Sequence, residues 1–261
     1  MEKINGNIYK KTMPYKDIFT TVCVIKTDIG ALLFDAASFD EDVENYILPL
    51  LGEAGVKDAD LKYIFISHNH RDHAGALEKL MERFPDVTVL SRSLALKEKF
   101  EKYRVELPED GDTILGVLKV VTIPGHTDDA MAVYDTRTKT MLTGDGLQLY
   151  GIFGSENWGS NMGLPVEHIE AIKKLRGMDI AEIYTAHDYH PCGTNAKGAA
   201  EIGVMLDACV EPIMLVKNLI ENNPEKSDEE IRLLYNNSAK IPPISTRLVI
   251  ATREAMRVER I

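Results

Sequence analysis

The stretch Ser67-His68-Asn69-His70-Arg71-Asp72-His73 decides the reading of this chain. Three of the seven histidines fall here within six positions, with an aspartate among them. The run directly before it, Tyr63-Ile64-Phe65-Ile66, is apolar and stops abruptly at Ser67, the pattern of a buried strand running out into a loop. Side chains two apart in extended chain, here His68 and His70, point the same way. The start of the following helix can then bring Asp72 and His73 to a second point close by. Neutral imidazole and carboxylate are good ligands for zinc and acceptable ones for iron and manganese.

Three further candidates each follow an apolar strand-like run. His126 comes after Val120-Val121-Thr122-Ile123-Pro124-Gly125, Asp145 after Thr140-Met141-Leu142-Thr143-Gly144, and His187 after Ile183-Tyr184-Thr185-Ala186. Any one of them alone is also what a capped turn or a satisfied core residue looks like. Together with the motif, they place seven ligand-type residues where strand after strand ends.

Working outward, residues 18–25 and 31–34 read as a hairpin around Thr27-Asp28-Ile29-Gly30. Residues 40–54 carry a helical stripe of Val43, Tyr46, Ile47, Leu50 and Leu51. A helix is expected at 74–83, a short strand at 87–90, and further strands at 117–123, 130–134, 139–143 and 181–185. Pro165 suits the first turn of a helix over 165–176. Helical segments follow near 195–221, 227–236 and 244–257, interrupted at Asn222-Asn223-Pro224 and Ile241-Pro242-Pro243. Strands followed by helices, twice over, imply two sheets packed face to face with helices outside. The expected division is a mixed domain over 1–194 and a helical C-terminal cap over 195–261.

Composition removes several classes of function. The 261 residues carry 30 Lys+Arg against 41 Asp+Glu, a net charge of −11, which argues against a general nucleic-acid binder. The N-terminal MEKINGNIYK has no apolar leader, and no run of about 18 apolar residues occurs, so a cytoplasmic protein without a membrane span is expected. Cys23, Cys192 and Cys209 are odd in number and widely spaced, which offers neither a disulfide framework nor a cysteine zinc site. The partner expected is a small-molecule substrate, and association into a homo-oligomer stays open.

The ordered set H-x-H-x-D-H, then His, then Asp, then His resembles the metallo-β-lactamase-fold superfamily over about residues 5–190. Asp35, in Leu32-Leu33-Phe34-Asp35, matches that family's early strand-end aspartate, usually structural. The resemblance implies a four-layer αββα sandwich with a C-terminal helical extension and a dinuclear centre, zinc first, with iron or manganese as alternatives. It implies one metal on His68, His70 and His126, a second on Asp72, His73 and His187, and Asp145 bridging them. Two cations about 3.5–4 Å apart can share a water and lower its pKa from 15.7 towards about 7. The expected activity is therefore metal-dependent hydrolysis of an ester, thioester, lactone or similar bond by a bridging hydroxide, with Asp72 orienting the nucleophile.

Within the family, the chain departs from named members. Acyl-homoserine lactonases place a Tyr three residues after the bridging Asp, where this chain has Gln148. Flavodiiron proteins replace the second motif His with Glu, and here His70 stands there. The basic residues with which glyoxalase II binds glutathione have no convincing match in 195–261. The usual Thr-Pro-Gly after the third His is Thr127-Asp128-Asp129. A mononuclear iron persulfide dioxygenase, using the equivalents of His68, His126 and Asp145, is the alternative. The loop 147–164, with Tyr150, Phe153 and Trp158, is read either as a substrate-covering loop or as a connection tucked over the sheet edge. Tyr189 is a further candidate for lining the pocket. His190 is expected at the surface or behind the ligands, His168 on a solvated helix face, Arg71 facing outward, and Cys192 as inert packing.

Overall fold

Runs of alternating or continuous apolar residues become strands, and these group into two sheets of seven and six strands. The computed structural model describes residues 2–155, 157–238, 242–258 and 260–261. They fall into two compact units. One comprises the chain up to Thr122 with Met131–Gly144, and the other Ile123–Ala130 with Asp145–Ile261.

In the first unit, β1 (Glu2–Asn5), β2 (Ile8–Tyr15), β3 (Ile18–Thr27), β4 (Gly30–Phe34), β5 (Leu61–Phe65), β6 (Thr88–Leu90) and β7 (Val105–Glu106) lie side by side in chain order. The first four pair antiparallel through tight turns. From β4 to β7 the pairing is parallel, which requires crossovers. The β4–β5 crossover is helical: α1 (Asp40–Asp42) runs through a π-turn at Val43–Ile47 into α2 (Leu48–Glu53). Its apolar stripe, Val43, Ile47, Leu50 and Leu51, packs into a core with Leu33, Ile64, Ile66 and Val89. After β5 come α3 (Arg71–Ala74) and α4 (Leu77–Arg83), and α5 (Leu94–Lys99) follows β6. The same unit holds an antiparallel set of β8 (Thr113–Ile114), β9 (Leu118–Thr122), β10 (Met131–Asp135) and β11 (Thr140–Leu142).

The second unit contains α6 (Pro165–Arg176), the hairpin of β12 (Glu182–Tyr189) with β13 (Gly193–Lys197), and α7 (Gly198–Asn222), α8 (Asp228–Ser238) and α9 (Thr246–Arg257). Met162, Ile213, Val216, Ile231, Tyr235 and Leu248 form its core. Pro165 takes the first turn of α6, as its fixed φ and missing N–H favour. Residues 195–197, expected as helix, belong instead to β13, whose small and polar side chains mask a strand at sequence level. Among the described residues, no helix is long and apolar enough to cross a membrane.

Candidate metal centre

In the first unit, the ends of β4 and β5 place Asp35 beside the histidine motif. Asp35 adopts a left-handed φ of 65°, a conformation Asp reaches more easily than branched residues. One carboxylate oxygen accepts from the Ser67 backbone N–H at 2.7 Å. The other accepts from the Ser67 hydroxyl at 3.0 Å and meets His73 Nδ1 at 2.7 Å. Burial pushes the Asp35 carboxyl above its ordinary range, against the opposing pull of His73 and Ser67. With Nδ1 held in this way, His73 turns Nε2 towards Asp72, 3.4 Å from Oδ2. His68 Nε2 and His70 Nδ1 approach to 2.9 Å, and the Ser67 hydroxyl lies 3.1 Å from His68 Nδ1. The expected pairing of the motif, His68 with His70 and Asp72 with His73, is thus present. Arg71 is exposed, as expected, with its guanidinium 4.9 Å from the Phe39 ring centre. A cavity of about 670 Å³ opens beside His70, with Phe39, Asn69, Arg71 and Lys99 in its wall.

In the second unit, Asp145 presents its two carboxylate oxygens to two different imidazoles. Oδ1 lies 3.0 Å from His187 Nε2, and Oδ2 lies 3.9 Å from His126 Nε2. His126 Nδ1 donates to the Asn161 carbonyl at 2.6 Å, which leaves its Nε2 as the lone-pair nitrogen. A lone pair facing a carboxylate is repulsive unless a proton or cation stands between them. A histidine whose far nitrogen is pinned by a carbonyl or carboxylate is also how proteins orient metal-binding imidazoles. By donor chemistry and by second partners, the residues in both units fit divalent cations.

The turn before His126 depends on Gly125, at φ +158°, where a Cβ would stand 2.4 Å from His168 Nδ1. His168 therefore does not sit on a solvated helix face: it is wholly buried, and burial lowers its pKa to about 4. The sequence held a usable signal, because His168 shares the buried stripe of α6 with Ala171, Ile172 and Leu175. Arg247 of α9 donates to the His126 carbonyl at 3.0 Å. Neither Asn161 nor Arg247 was legible as a support from the motif.

The four aromatic candidates fare differently. Tyr189 is fully buried, and its hydroxyl accepts from Gln148 Nε2 at 3.2 Å. Tyr150 and Trp158 are half-buried and Phe153 is exposed. Tyr150 and Phe153 place their rings 5.9 and 4.8 Å from that of His190. Burial and a hydrogen bond to Glu211 push the Tyr150 phenol well up. The loop they share is tied down by backbone bonds, including Ile152 N–H to Trp158 O at 2.8 Å, Phe153 N–H to Asp188 O at 2.7 Å and Gly159 N–H to Pro243 O at 3.1 Å.

Residues 16–187 match the family model of the metallo-beta-lactamase superfamily. A hydroxyacylglutathione hydrolase of Crocosphaera subtropica is 35% identical over 59% of this chain and 60% of its own length. One of Prochlorococcus marinus is 27% identical over 63% of this chain and 65% of its own. The matched region thus spans less than two thirds of these relatives. Among solved structures, a metallo-β-lactamase family protein of Thermus thermophilus superposes with a TM-score of 0.67 at 18% identity, covering 97% of this chain and 94% of the other. A flavo di-iron protein of Thermotoga maritima gives 0.62 at 16% identity, over 90% of this chain and 70% of the other. At these identities the structural likeness speaks for the fold alone, while the family-model match covers well over half of the sequence. The chain belongs to the metallo-beta-lactamase superfamily.

Proposed function

We propose that the protein is a dinuclear metal-dependent hydrolase of small-molecule acyl bonds, and that a thioester is the substrate class to try first. The observation that carries this reading is the Asp145 carboxylate, which turns one oxygen to His187 and the other to His126. That divergence is what a carboxylate shared between two ions requires. In this reading His68, His70 and His126 would hold one ion, Asp72, His73 and His187 the other, and Asp145 would serve both. Zinc is the metal we favour, since imidazole and carboxylate are ordinary zinc ligands in catalytic sites. The thioester rests on the names of the hydroxyacylglutathione hydrolases that the chain resembles.

Two divalent cations would supply an acidified water and an electrophilic partner for the carbonyl oxygen. The chain's own groups do the rest. Asp72, buried and 3.4 Å from His73 Nε2, would orient that water. Asp35 fixes the tautomer and direction of His73 through its 2.7 Å contact. The cavity beside His70 offers room for part of the substrate. The same reading keeps the chain through β13 as the hydrolase domain, three residues beyond the expected boundary at 194, and the helices from Gly198 onward as its cap.

The test is hydrolysis of a panel of acyl thioesters, oxygen esters and lactones by protein stripped with chelator and then reloaded with zinc. The reading requires turnover that vanishes on stripping and returns with zinc. Activity indifferent to chelation and reloading would defeat it.

A further inference from the structure

We propose that Gln148 is a positioning residue that holds all three candidate ligands of the second unit in one geometry; this rests on the reading of His126, Asp145 and His187 as metal ligands. Gln148 is buried, 4% exposed, and begins the loop three residues after Asp145. Its side-chain amide is satisfied in three directions. Nε2 donates to the Asp145 carbonyl at 3.2 Å and to the Tyr189 hydroxyl at 3.2 Å. Oε1 accepts from the Asn161 backbone N–H at 3.0 Å. The amide can be oriented only one way, because the Asp145 carbonyl only accepts and the Asn161 N–H only donates.

Each of these bonds leads to a ligand. The first fixes the backbone of Asp145 itself. The second fixes Tyr189, which lies two residues beyond His187 on β12 and has its ring 5.8 Å from the His187 ring, edge to face. The third holds the N–H of Asn161, the residue whose carbonyl, in the next peptide, takes the proton of His126 Nδ1 at 2.6 Å and so selects the tautomer with a free Nε2. One neutral side chain thus bonds to all three ligand supports and adds no charge beside them.

The backbone at this position is constrained as well. Gln148 and Leu149 have φ of 57° and 38°, two successive left-handed conformations at residues other than glycine. Such conformations are strained at residues other than glycine and persist only where the surroundings over-determine them. The three bonds of the Gln148 amide are such surroundings. Glutamate could still accept from Asn161 but could not donate twice. Methionine would fill the space with no polar group at all.

The experiment is zinc affinity, measured by competition with a chromophoric chelator on the full chain, for wild type, Gln148→Met, Gln148→Glu and Tyr189→Phe, with folding checked by circular dichroism. Partners behind metal ligands are typically worth about 10–100-fold in affinity. We expect Gln148→Met to weaken zinc by about that factor, with Gln148→Glu intermediate, because it keeps the Asn161 bond, and Tyr189→Phe a few-fold weaker than wild type. A folded Gln148→Met with wild-type zinc affinity overturns the proposal, whatever its melting temperature. Should Gln148→Met fail to fold, Tyr189→Phe decides: a few-fold loss supports the linkage and wild-type affinity overturns it. Wild-type protein that binds no zinc overturns the ligand reading itself, and this inference with it.

Discussion

Four candidate ligands of the first unit, His68, His70, Asp72 and His73, come from six consecutive residues, whereas the three of the second are spread over residues 126–187. The two units also anchor them by different physics. In the first, a buried carboxylate, Asp35, grips His73 and both donors of Ser67. In the second, the anchors are two neutral groups, the Asn161 carbonyl and the Gln148 amide, together with the Arg247 guanidinium, which bonds to a backbone carbonyl. A short motif can be aimed by one charged group at the end of a neighbouring strand. Ligands from three distant segments need a web of weaker bonds, each worth about 1 kcal/mol net.

The contrast can be broken most severely at Asp35. Asp35→Ala should destabilise the protein by about 3–5 kcal/mol, because it strands a buried imidazole and two Ser67 donors. Urea unfolding measures this, and a loss under about 1 kcal/mol would show that Asp35 is no anchor. Next comes the buried His168 of the second unit, whose pKa falls from 6.5 to about 4. The unfolded state then binds the proton more readily, so this contribution is intact above pH 6.5 and is lost as pH falls towards 4. At about 1.4 kcal/mol per unit the loss approaches ~3 kcal/mol. Unfolding at a series of pH values should show a shallower acid dependence for His168→Gln than for wild type, and parallel curves would refute the assignment.

Asp72→Ala tests the role of the motif carboxylate in the reaction. Turnover of the responsive thioester should fall by at least ~10²-fold while the circular dichroism spectrum is retained. Wild-type turnover in that variant would rule out the assigned part of Asp72. The smallest effect belongs to the second unit's web. Arg247→Ala removes the partly exposed hydrogen bond to the His126 carbonyl and a long one to Asn161 Oδ1, and should cost about 1 kcal/mol in urea unfolding. A loss as large as that of Asp35→Ala would erase the distinction between the two kinds of anchor.

Much of the architecture was legible because ligand types stand just beyond strands, with His187 the exception: β12 runs on past it to Tyr189. The run Tyr63–Ile66 ends one residue after β5, the run before Asp145 begins in β11, and the run before His187 lies in β12. The hairpin at 18–34 and the helix at 165–176 also lie where their patterns put them. Elements without an apolar run were not visible: β1 is polar, and β13 reads Gly-Thr-Asn-Ala-Lys. The sequence motif marked Gln148 only as a departure from lactonases, since its bonds run to backbone groups and to Tyr189, far along the chain. His168 was misread because the acidic neighbours Glu167 and Glu170 outweighed its place on the apolar stripe of α6.

Metal content per chain, by elemental analysis of protein purified without added metal or chelator, bears most directly on the two-metal reading. The account predicts about two equivalents of zinc. About one equivalent of iron with little zinc would contradict it and favour oxygen chemistry on His68, His126 and Asp145 instead.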